Sequence, residues 1–115
     1  MGQGETLMPT WEADEAFLRD YRHLTPAQKE AFKVAKEDFV KALLQWESMD
    51  CAGLPQFPAR LGVKPMVDNP SVLEVAWASD GRATWHYGKK RRPDKVHVVW
   101  RRIGTHDIYK AKNRP

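Results

Sequence analysis

The hydrophobic pattern of the chain changes its period near the middle, and this change limits the folds open to it. From Pro26 to about Trp46, apolar residues recur at intervals of three and four, as on an amphipathic helix. From Val72 onward apolar and polar residues alternate, as in strands with one buried face. A chain of 115 residues buries a single core, so helices and strands must pack on each other. We predict an α+β fold of two layers, with the helices first and antiparallel strands after them.

Two helices are predicted in the first half. Residues 14–23 place apolar side chains at helical spacing, after a short strand near residues 10–13. The sequence TPAQ at Thr25–Gln28 supplies an N-cap, a proline at the first helical position and the glutamine of a capping box, so the second helix starts there. The tight turn before it predicts an antiparallel helical hairpin.

The segments around these elements have no such period. Residues 1–9 contain two glycines and a proline, and we interpret them as a flexible N-terminal arm. Residues 10–115 are predicted to form one domain. Within that domain, residues 51–70 carry four prolines and two glycines, which indicates a connection that holds a short strand within 60–67.

Three strands are predicted after this connection, over residues 72–78, 82–87 and 96–103. A two-residue loop between the first two would mix apolar and polar side chains on both faces. A three-residue loop that pairs Ala78 with Arg82 separates them, so burial favours the second register. One face then carries Leu73, Val75, Trp77, Ala83, Trp85 and Tyr87, joined by Val96, Val98 and Trp100 of the last strand. The open face collects Glu74, Arg82, His86, His97 and Arg101.

The charge of the chain changes sign along its length. Residues 1–50 hold 6 Lys and Arg against 10 Asp and Glu, a net charge of −4, whereas residues 51–115 hold 13 against 5, a net charge of +8. A cationic half of this size favours a polyanionic partner, and nucleic acid fits best. The candidate nucleic-acid contacts are Lys64, His86, Lys89, Lys90, Arg91, Arg92 and Arg102. The alternative for the basic loop over 89–95 is an ordinary solvated turn.

Several classes of protein are disfavoured. No apolar run approaches the roughly 20 residues of a membrane helix, and no signal peptide is apparent, so we expect a cytoplasmic protein without a membrane partner. The single Cys51 cannot form an internal disulfide. The histidines show no metal-binding spacing, and no glycine-rich phosphate loop is present, so we expect neither a metal nor a small-molecule cofactor.

The end of the last strand offers the chemistry that cleavage of RNA by its own 2′-hydroxyl requires, namely a base, an acid and cations for the phosphate. His106 suits proton transfer because imidazole titrates near neutral pH. Arg82 and Arg101 can hold phosphate with planar, permanently charged groups. Tyr109 can orient the nucleotide or donate a proton. Glu74 can orient a histidine or act as the base, although a simple cross-strand ion pair with Arg82 is the alternative.

Two histidines are left out of this candidate site. His97 lies within a predicted strand, where a half-buried structural role is more common than catalysis. His23 follows a helix and is interpreted as a surface residue whose hydrogen bonds are satisfied locally. His86 remains an open choice between a structural and a binding role.

Four segments together resemble the RelE/ParE superfamily of bacterial type II toxins. Residues 17–24 resemble the pattern of its first helix, Leu73–Val75 a strand with a central glutamate, and residues 80–85 its hairpin with an arginine on the return strand. The most specific segment is Arg102–Asp107, which is similar to the R-x-G-T-H ending of the YafQ-like branch. The resemblance covers roughly residues 10–112.

The resemblance implies a helical hairpin packed on a curved antiparallel sheet and an endonuclease that cuts mRNA on the ribosome. By position, His106 matches the catalytic histidine, Arg82 the hairpin arginine, and Glu74 the acidic strand residue of some members. Tyr109 matches a terminal aromatic, one residue earlier than usual. The paired strand lysines of the RelE branch are absent, with Glu74 and Ala76 in their place.

The resemblance also implies a protein partner. A cognate antitoxin neutralises such toxins, and the basic surface predicts that this partner is acidic and partly disordered before it binds. Two other functions stay open. Members of the ParE branch share the fold and inhibit DNA gyrase without cutting RNA, and a non-catalytic RNA-binding module would need only the phosphate contacts.

Overall fold

The order of elements follows the predicted change of period from helix to strand. The computed structural model describes residues 9–109. The α-helices and strands are β1 Thr10–Ala13, α1 Glu15–Arg22, α2 Pro26–Ser48, β2 Lys64–Pro65, β3 Leu73–Ala76, β4 Gly81–Tyr87 and β5 His97–Thr105. Two short 3₁₀ turns occupy Ala59–Leu61 and His106–Tyr109. The predicted helices and the N-terminal strand are confirmed, and the strand expected within 60–67 is reduced to the two residues of β2.

The start of α2 shows both hydrogen bonds of a capping box. Thr25 Oγ1 accepts from the backbone N–H of Gln28 at 3.1 Å, and Gln28 Oε1 accepts from the N–H of Thr25 at 2.8 Å. Pro26 occupies the first helical position, where a missing N–H costs nothing. These contacts fix where α1 ends and α2 begins, and so they set the helical hairpin.

The five strands form one mixed sheet in the order β1-β5-β4-β3-β2. The pairs β2–β3, β3–β4 and β4–β5 are antiparallel, which confirms the predicted antiparallel arrangement of the last three strands. β1 adds to the outer side of β5 and runs parallel to it, with Thr10 opposite His97. The helical hairpin and three other strands separate β1 from β5 in sequence, so no tight turn imposes an antiparallel pairing on them.

The predicted register of the β3–β4 hairpin is wrong by two residues. Ala76, not Ala78, pairs with Arg82. The longer turn places Trp77 over the core at 7% exposure, with its indole against Gly81, where an added Cβ would lie 2.5 Å from the ring. A shift of two keeps each side chain on its face, so the predicted apolar face is confirmed: Val75, Ala83 and Trp85 are buried in the core.

A β-bulge interrupts β5. Trp85 pairs with Trp100 while the preceding Thr84 pairs with Arg102, which leaves Arg101 as the extra residue. The predicted alternation holds up to Trp100 and then changes phase, so that Ile103 also enters the core at 1% exposure. The bulge therefore decides where the last two arginines of the strand point.

Aromatic rings fill the space between the helices and the sheet. Phe39 of α2 contacts the rings of Trp85, Trp100 and Phe57 at centroid distances of 4.9, 5.2 and 5.3 Å. Such pairs add about 0.5 to 1.5 kcal/mol each beyond the burial of their area. Core packing is thus the role of Trp77, Trp85 and Trp100, whereas Trp11 on β1 is 62% exposed.

Candidate functional site

The side of the sheet that faces away from the helices carries the predicted site residues, and we call it the polar face. It comprises Thr10, Glu12, Glu74, Arg82, Thr84, His86, His97, Val99 and Arg101. Not all of it is open, since Thr84 is 0% and His97 4% exposed. The candidate residues divide into groups at different places on this face.

The first group lies at the tip of the β3–β4 hairpin. Arg82 donates from Nη1 to the carbonyl oxygens of Ala78, Ser79 and Gly81 at 3.1, 3.3 and 2.9 Å. The guanidinium thus closes the hairpin turn from inside. Among the described side chains, those of His106 and Tyr109 not included, no hydrogen bond is found to Nε or Nη2 of Arg82.

The last strand ends beside this tip. Gly81 pairs with Thr105, and the 3₁₀ turn His106–Tyr109 begins at the next residue. Ile108 of that turn is 6% exposed and packs against Gly104, where an added Cβ would lie 2.9 Å from Ile108 Cγ2. The backbone of His106 and Tyr109 is therefore at the same end of the sheet as Arg82. Their side chains lie outside what the structure describes.

A second group lies farther along β4. Nη1 of Arg101 is 3.2 Å from Nδ1 of His86. A guanidinium only donates hydrogen bonds, so Nδ1 accepts and a neutral His86 ring carries its proton on Nε2. Burial lowers the pKa of His86, and the nearby charge of Arg101 lowers it further. His86 is consequently a neutral donor at physiological pH.

The two groups are well separated. His86 is four residues along β4 from Arg82, which corresponds to about 14 Å in an extended strand. Arg82 and the Arg101–His86 pair are thus two positions on a shared face.

Glu74 and Lys64 form a third position, at the outer edge of the sheet. Their strands pair directly, and Lys64 Nζ lies 3.7 Å from Glu74 Oε2. The Glu74 side chain is 13% exposed, and its cross-strand neighbour on β4 is Thr84 rather than Arg82. An ion pair of Glu74 is therefore present with Lys64, because β2 pairs directly with β3 at this residue.

Arg102 is engaged in the fold. Its guanidinium donates two hydrogen bonds to Asp20 of α1, at 2.6 and 3.1 Å, and Asp20 Oδ2 also accepts from the backbone N–H of Ile103 at 3.1 Å. Both side chains are mostly buried, at 12% and 14% exposure. This pair fixes α1 to the β-bulge. Sequence reasoning missed Asp20, and nothing in the spacing of the two residues could have indicated the contact.

The basic loop before β5 is tied to the acidic half of the chain. Arg91 Nη2 lies 2.7 Å from Glu12 Oε1 on β1. Lys95 is buried and forms an ion pair with the equally buried Glu47 of α2 at 3.5 Å. Lys89, Lys90, Arg91 and Arg92 remain exposed to solvent. The loop is therefore an anchored cationic surface rather than a free turn.

His97 holds β1 on the sheet. Its Nδ1 lies 2.7 Å from Thr10 Oγ1, and its Nε2 lies 2.8 Å from Glu12 Oε1. The hydrogen bond between His97 and Glu12, together with the one from Arg91, lowers the pKa of Glu12. The structural role expected for His97 is confirmed. His23 likewise bonds locally, with Nδ1 2.8 Å from the carbonyl oxygen of Arg19.

No protein-family model and no curated protein matches the sequence. Solved structures do match. The toxin–antitoxin complex DinJ–YafQ of E. coli aligns over 90% of this chain and 99% of the matched chain, with a TM-score of 0.56 and 14% identity. YafQ of E. coli strain BL21(DE3) has the same coverage, a TM-score of 0.50 and 17% identity. A copper-bound mutant toxin of Helicobacter pylori covers 87% and 97%, with a TM-score of 0.53 and 8% identity.

The chain has the fold of the YafQ structures. The α+β architecture expected from the sequence is confirmed, with a helical pair on one side of a five-stranded sheet, and the sheet is mixed rather than wholly antiparallel because β1 is parallel to β5. Among residues 9–109 no cluster of three or more potential ligands is arranged to hold a metal ion. No helix in the same range is long and apolar enough to cross a membrane.

Proposed function

We propose that this chain is the toxin of a type II toxin–antitoxin system and acts as a metal-independent endoribonuclease on mRNA at the ribosome, in the cytoplasm. Three features support the proposal: the RelE/YafQ-like fold, the R-x-G-T-H segment at the end of β5, and the net charge of +8 over residues 51–115. The first alone is compatible with other activities. Together they favour a polyanionic substrate that is processed at the hairpin tip.

The observation that carries the proposal is the pairing of Gly81 with Thr105. It brings the hairpin that carries Arg82 and the turn that begins at His106 to one end of the sheet. An arginine and a histidine at one end of the sheet supply a cation for the phosphate and one of the two proton-transfer groups that cleavage of RNA by internal transfer needs. Tyr109 belongs to the same turn, which suits a role in orienting the nucleotide.

In the proposed reaction, the 2′-hydroxyl oxygen attacks the adjacent phosphorus while its proton is taken up by a base. The new bond joins the 2′-oxygen to phosphorus, and the bond from phosphorus to the 5′-oxygen breaks. The products are a 2′,3′-cyclic phosphate and a 5′-hydroxyl, which receives a proton. His106 takes part in these proton transfers, and Nε and Nη2 of Arg82 stabilise the charge on the phosphate.

Arg101 and His86 are proposed to hold the RNA strand beside the reacting phosphate. Arg101 fixes the His86 ring with its proton on Nε2, so this nitrogen can donate to a phosphate oxygen. The exposed cations of the loop before β5 extend the same surface. Glu74 lies diagonally across the hairpin from Arg82 and keeps its proposed role as a base or as a group that orients a histidine, and Lys64 beside it is a proposed phosphate contact.

The proposed partner is an acidic antitoxin, since the DinJ–YafQ structure is a toxin–antitoxin complex and this chain has a strongly basic half. A short acidic reading frame beside the gene would encode it. Co-expression of that product is expected to relieve the growth arrest caused by this chain. Unchanged growth arrest on co-expression would contradict the assignment of that partner.

The nuclease activity can be tested by primer extension on a message translated in a purified system. Wild-type protein is expected to produce new 5′ ends within codons, only when ribosomes are present. His106→Ala is expected to lose this cleavage, whereas His23→Ala, a change at an exposed histidine outside the site, should retain it. The same cleavage pattern for wild type and His106→Ala would remove the proposed chemistry.

One observation favours a second candidate, a non-catalytic protein that binds RNA or another polyanion. Arg82 and Arg91 each contact protein groups, so both have a structural use. For this candidate, RNA binding persists without cleavage, with and without ribosomes. Inhibition of gyrase supercoiling without loss on His106→Ala would instead indicate the ParE-like activity.

A further inference from the structure

An apolar groove lies on the helix side of the sheet, away from the polar face. It is enclosed by β1, α1 and α2 and has a volume of about 650 Å³. Phe17, Phe32 and Trp100 form its floor, and Trp11 of β1 and Leu18 of α1 stand at its margins. Trp11 is 62% and Leu18 46% exposed. An aromatic and an aliphatic side chain thus remain in water beside an open apolar cavity, which is typical of an interaction site.

A row of lysines forms the α2 side of this groove. Lys29, Lys33 and Lys36 follow the spacing i, i+4 and i+7, so they share one stripe of the helix. Among residues 9–109 none of the three is in an ion pair, and Lys29 lies 5.2 Å above the ring of Tyr21. The only acidic residue that lines the groove within this described range is Glu30.

The local charge is opposite to that of its surroundings. Residues 1–50 carry a net charge of −4, yet the groove within this half presents three cations and one anion. An exposed helix face needs polar residues, but it does not need three lysines in a row beside an apolar cavity. The arrangement is complementary to a ligand that is apolar on one side and acidic along its flank.

We propose that this groove binds an acidic amphipathic helix of a partner protein. The part of α2 from Lys29 to Val40 contains twelve residues and measures about 16 Å or three helical turns from end to end, which matches the contact length of one short helix. Apolar residues at i, i+3, i+4 and i+7 of that helix would fill the cavity, and its flanking Asp and Glu would meet the lysines. RNA is a poorer occupant, because the rings of Phe17, Phe32 and Trp100 contact one another and are only 5–6% exposed, which leaves them no free face for the stacking of bases.

Helix binding in the groove rests on the proposed protein partner and does not depend on the proposed nuclease activity. The groove and the polar face lie on opposite sides of the sheet, so a helix in the groove leaves the polar face open. β1 belongs to both sides, since Trp11 and Ala13 line the groove while Thr10 and Glu12 hold His97. A partner that also covers the polar face must therefore extend beyond this helix.

Binding can be measured with the full-length protein and labelled synthetic peptides by fluorescence anisotropy. The probe is a peptide of about 18 residues with leucines on one helical face and glutamates elsewhere, long enough to form a partial helix. One control peptide has the same composition in scrambled order, and another has lysine in place of glutamate. The amphipathic acidic peptide is expected to bind at least about tenfold tighter than either control.

Charge reversal on the protein locates the binding site. Lys33→Glu with Lys36→Glu is expected to weaken the acidic peptide by about tenfold or more, because two attractive pairs become repulsive. The control reverses the same kind of charge elsewhere on the helix: Lys41→Glu on α2, at an exposed lysine that does not line the groove. This variant should bind as wild type does.

Three results would overturn the inference: equal binding of the scrambled peptide, no binding of the acidic peptide, or an equal loss for Lys41→Glu and the groove variant. The outcome is separable from the proposed function. If an acidic partner neutralises the protein but these peptide tests fail, the proposed function stands and the proposed binding role of the groove is refuted. If the protein binds the peptide but does not cleave RNA, the binding role of the groove stands and the nuclease proposal is refuted.

Discussion

The two faces of the sheet are stabilised by different interactions. The helix face is a continuous layer of rings, with Phe39 in contact with Trp85 and Trp100. The polar face is ordered by specific pairs, such as Arg101 with His86 and Glu12 with His97. Each ring of the helix face contacts several other rings, so removing one affects all of its neighbours, whereas each polar pair involves only its own two or three groups. The helix face therefore preserves the fold, and side chains of the polar face can be changed one at a time.

The largest effect is expected from a cavity in the helix face. Phe39→Ala removes the ring at the centre of the aromatic layer, where the side chain is 1% exposed. The free energy of unfolding should fall by about 3 to 5 kcal/mol, measured by urea denaturation. Val34→Ala on the same helix is the control, because Val34 is 52% exposed and its truncation should change stability by less than about 0.5 kcal/mol. Equal losses for the two variants would contradict a stability centred on this face.

The next largest loss of stability is expected from the pair of Asp20 and Arg102, which share two hydrogen bonds. Asp20→Asn leaves the mostly buried guanidinium of Arg102 without its carboxylate and should cost about 3 kcal/mol. The matched control is Asp38→Asn, which breaks the more exposed pair with Arg60 and should cost less than about 1 kcal/mol. A double-mutant cycle with Arg102→Gln measures the coupling. A coupling near zero would show that the Asp20 contact does not hold α1 on the sheet.

These two faces were not equally predictable from sequence. The hydrophobic period and burial place Val75, Trp85 and Trp100 on the helix side of the sheet. Because side chains alternate between the two faces of a strand, a hairpin register that is wrong by two residues leaves this assignment unchanged. The register itself depended on the packing of Trp77 against Gly81, a tertiary contact that no turn rule contains.

The polar pairs were not predictable. Asp20 and Arg102 are 82 residues apart, and Thr10 and His97 are 87 apart, so each contact depends on the completed sheet. The β-bulge at Arg101 adds to this, because it changes the direction of the side chains after Trp100. The sequence could name Arg82, Arg101 and His86 as candidates, but it could not show that Arg101 contacts His86.

The smallest effect is a change of stability with pH. Burial and Arg101 lower the pKa of His86 below its ordinary value of 6.5, so above that pH both folded and unfolded chains carry it neutral. As the pH falls below 6.5, the unfolded chain binds the proton first, and this favours unfolding. The folded chain should therefore lose stability on acidification through this range, until the pH falls through the lowered pKa.

Urea denaturation between pH 7.5 and 5, about the range in which imidazole titrates, measures this contribution. His86→Gln should remove part of the loss of stability, whereas His23→Gln, a change at an exposed histidine, should leave it as in wild type. A wild-type slope that His86→Gln does not reduce would mean that the Arg101 contact does not keep the ring neutral.

The most direct test of a catalytic centre at the hairpin tip compares His106 with His86 in the same reaction. Single-turnover cleavage of a ribosome-bound message would be measured for wild type, His106→Ala and His86→Ala. For His106→Ala we predict a loss of roughly 100-fold or more in the rate constant, as expected for a group in proton transfer. For His86→Ala we predict weaker RNA binding and a rate constant at saturation within about tenfold of wild type. Cleavage by His106→Ala at the wild-type rate, or a larger loss for His86→Ala, would contradict a catalytic centre at the hairpin tip.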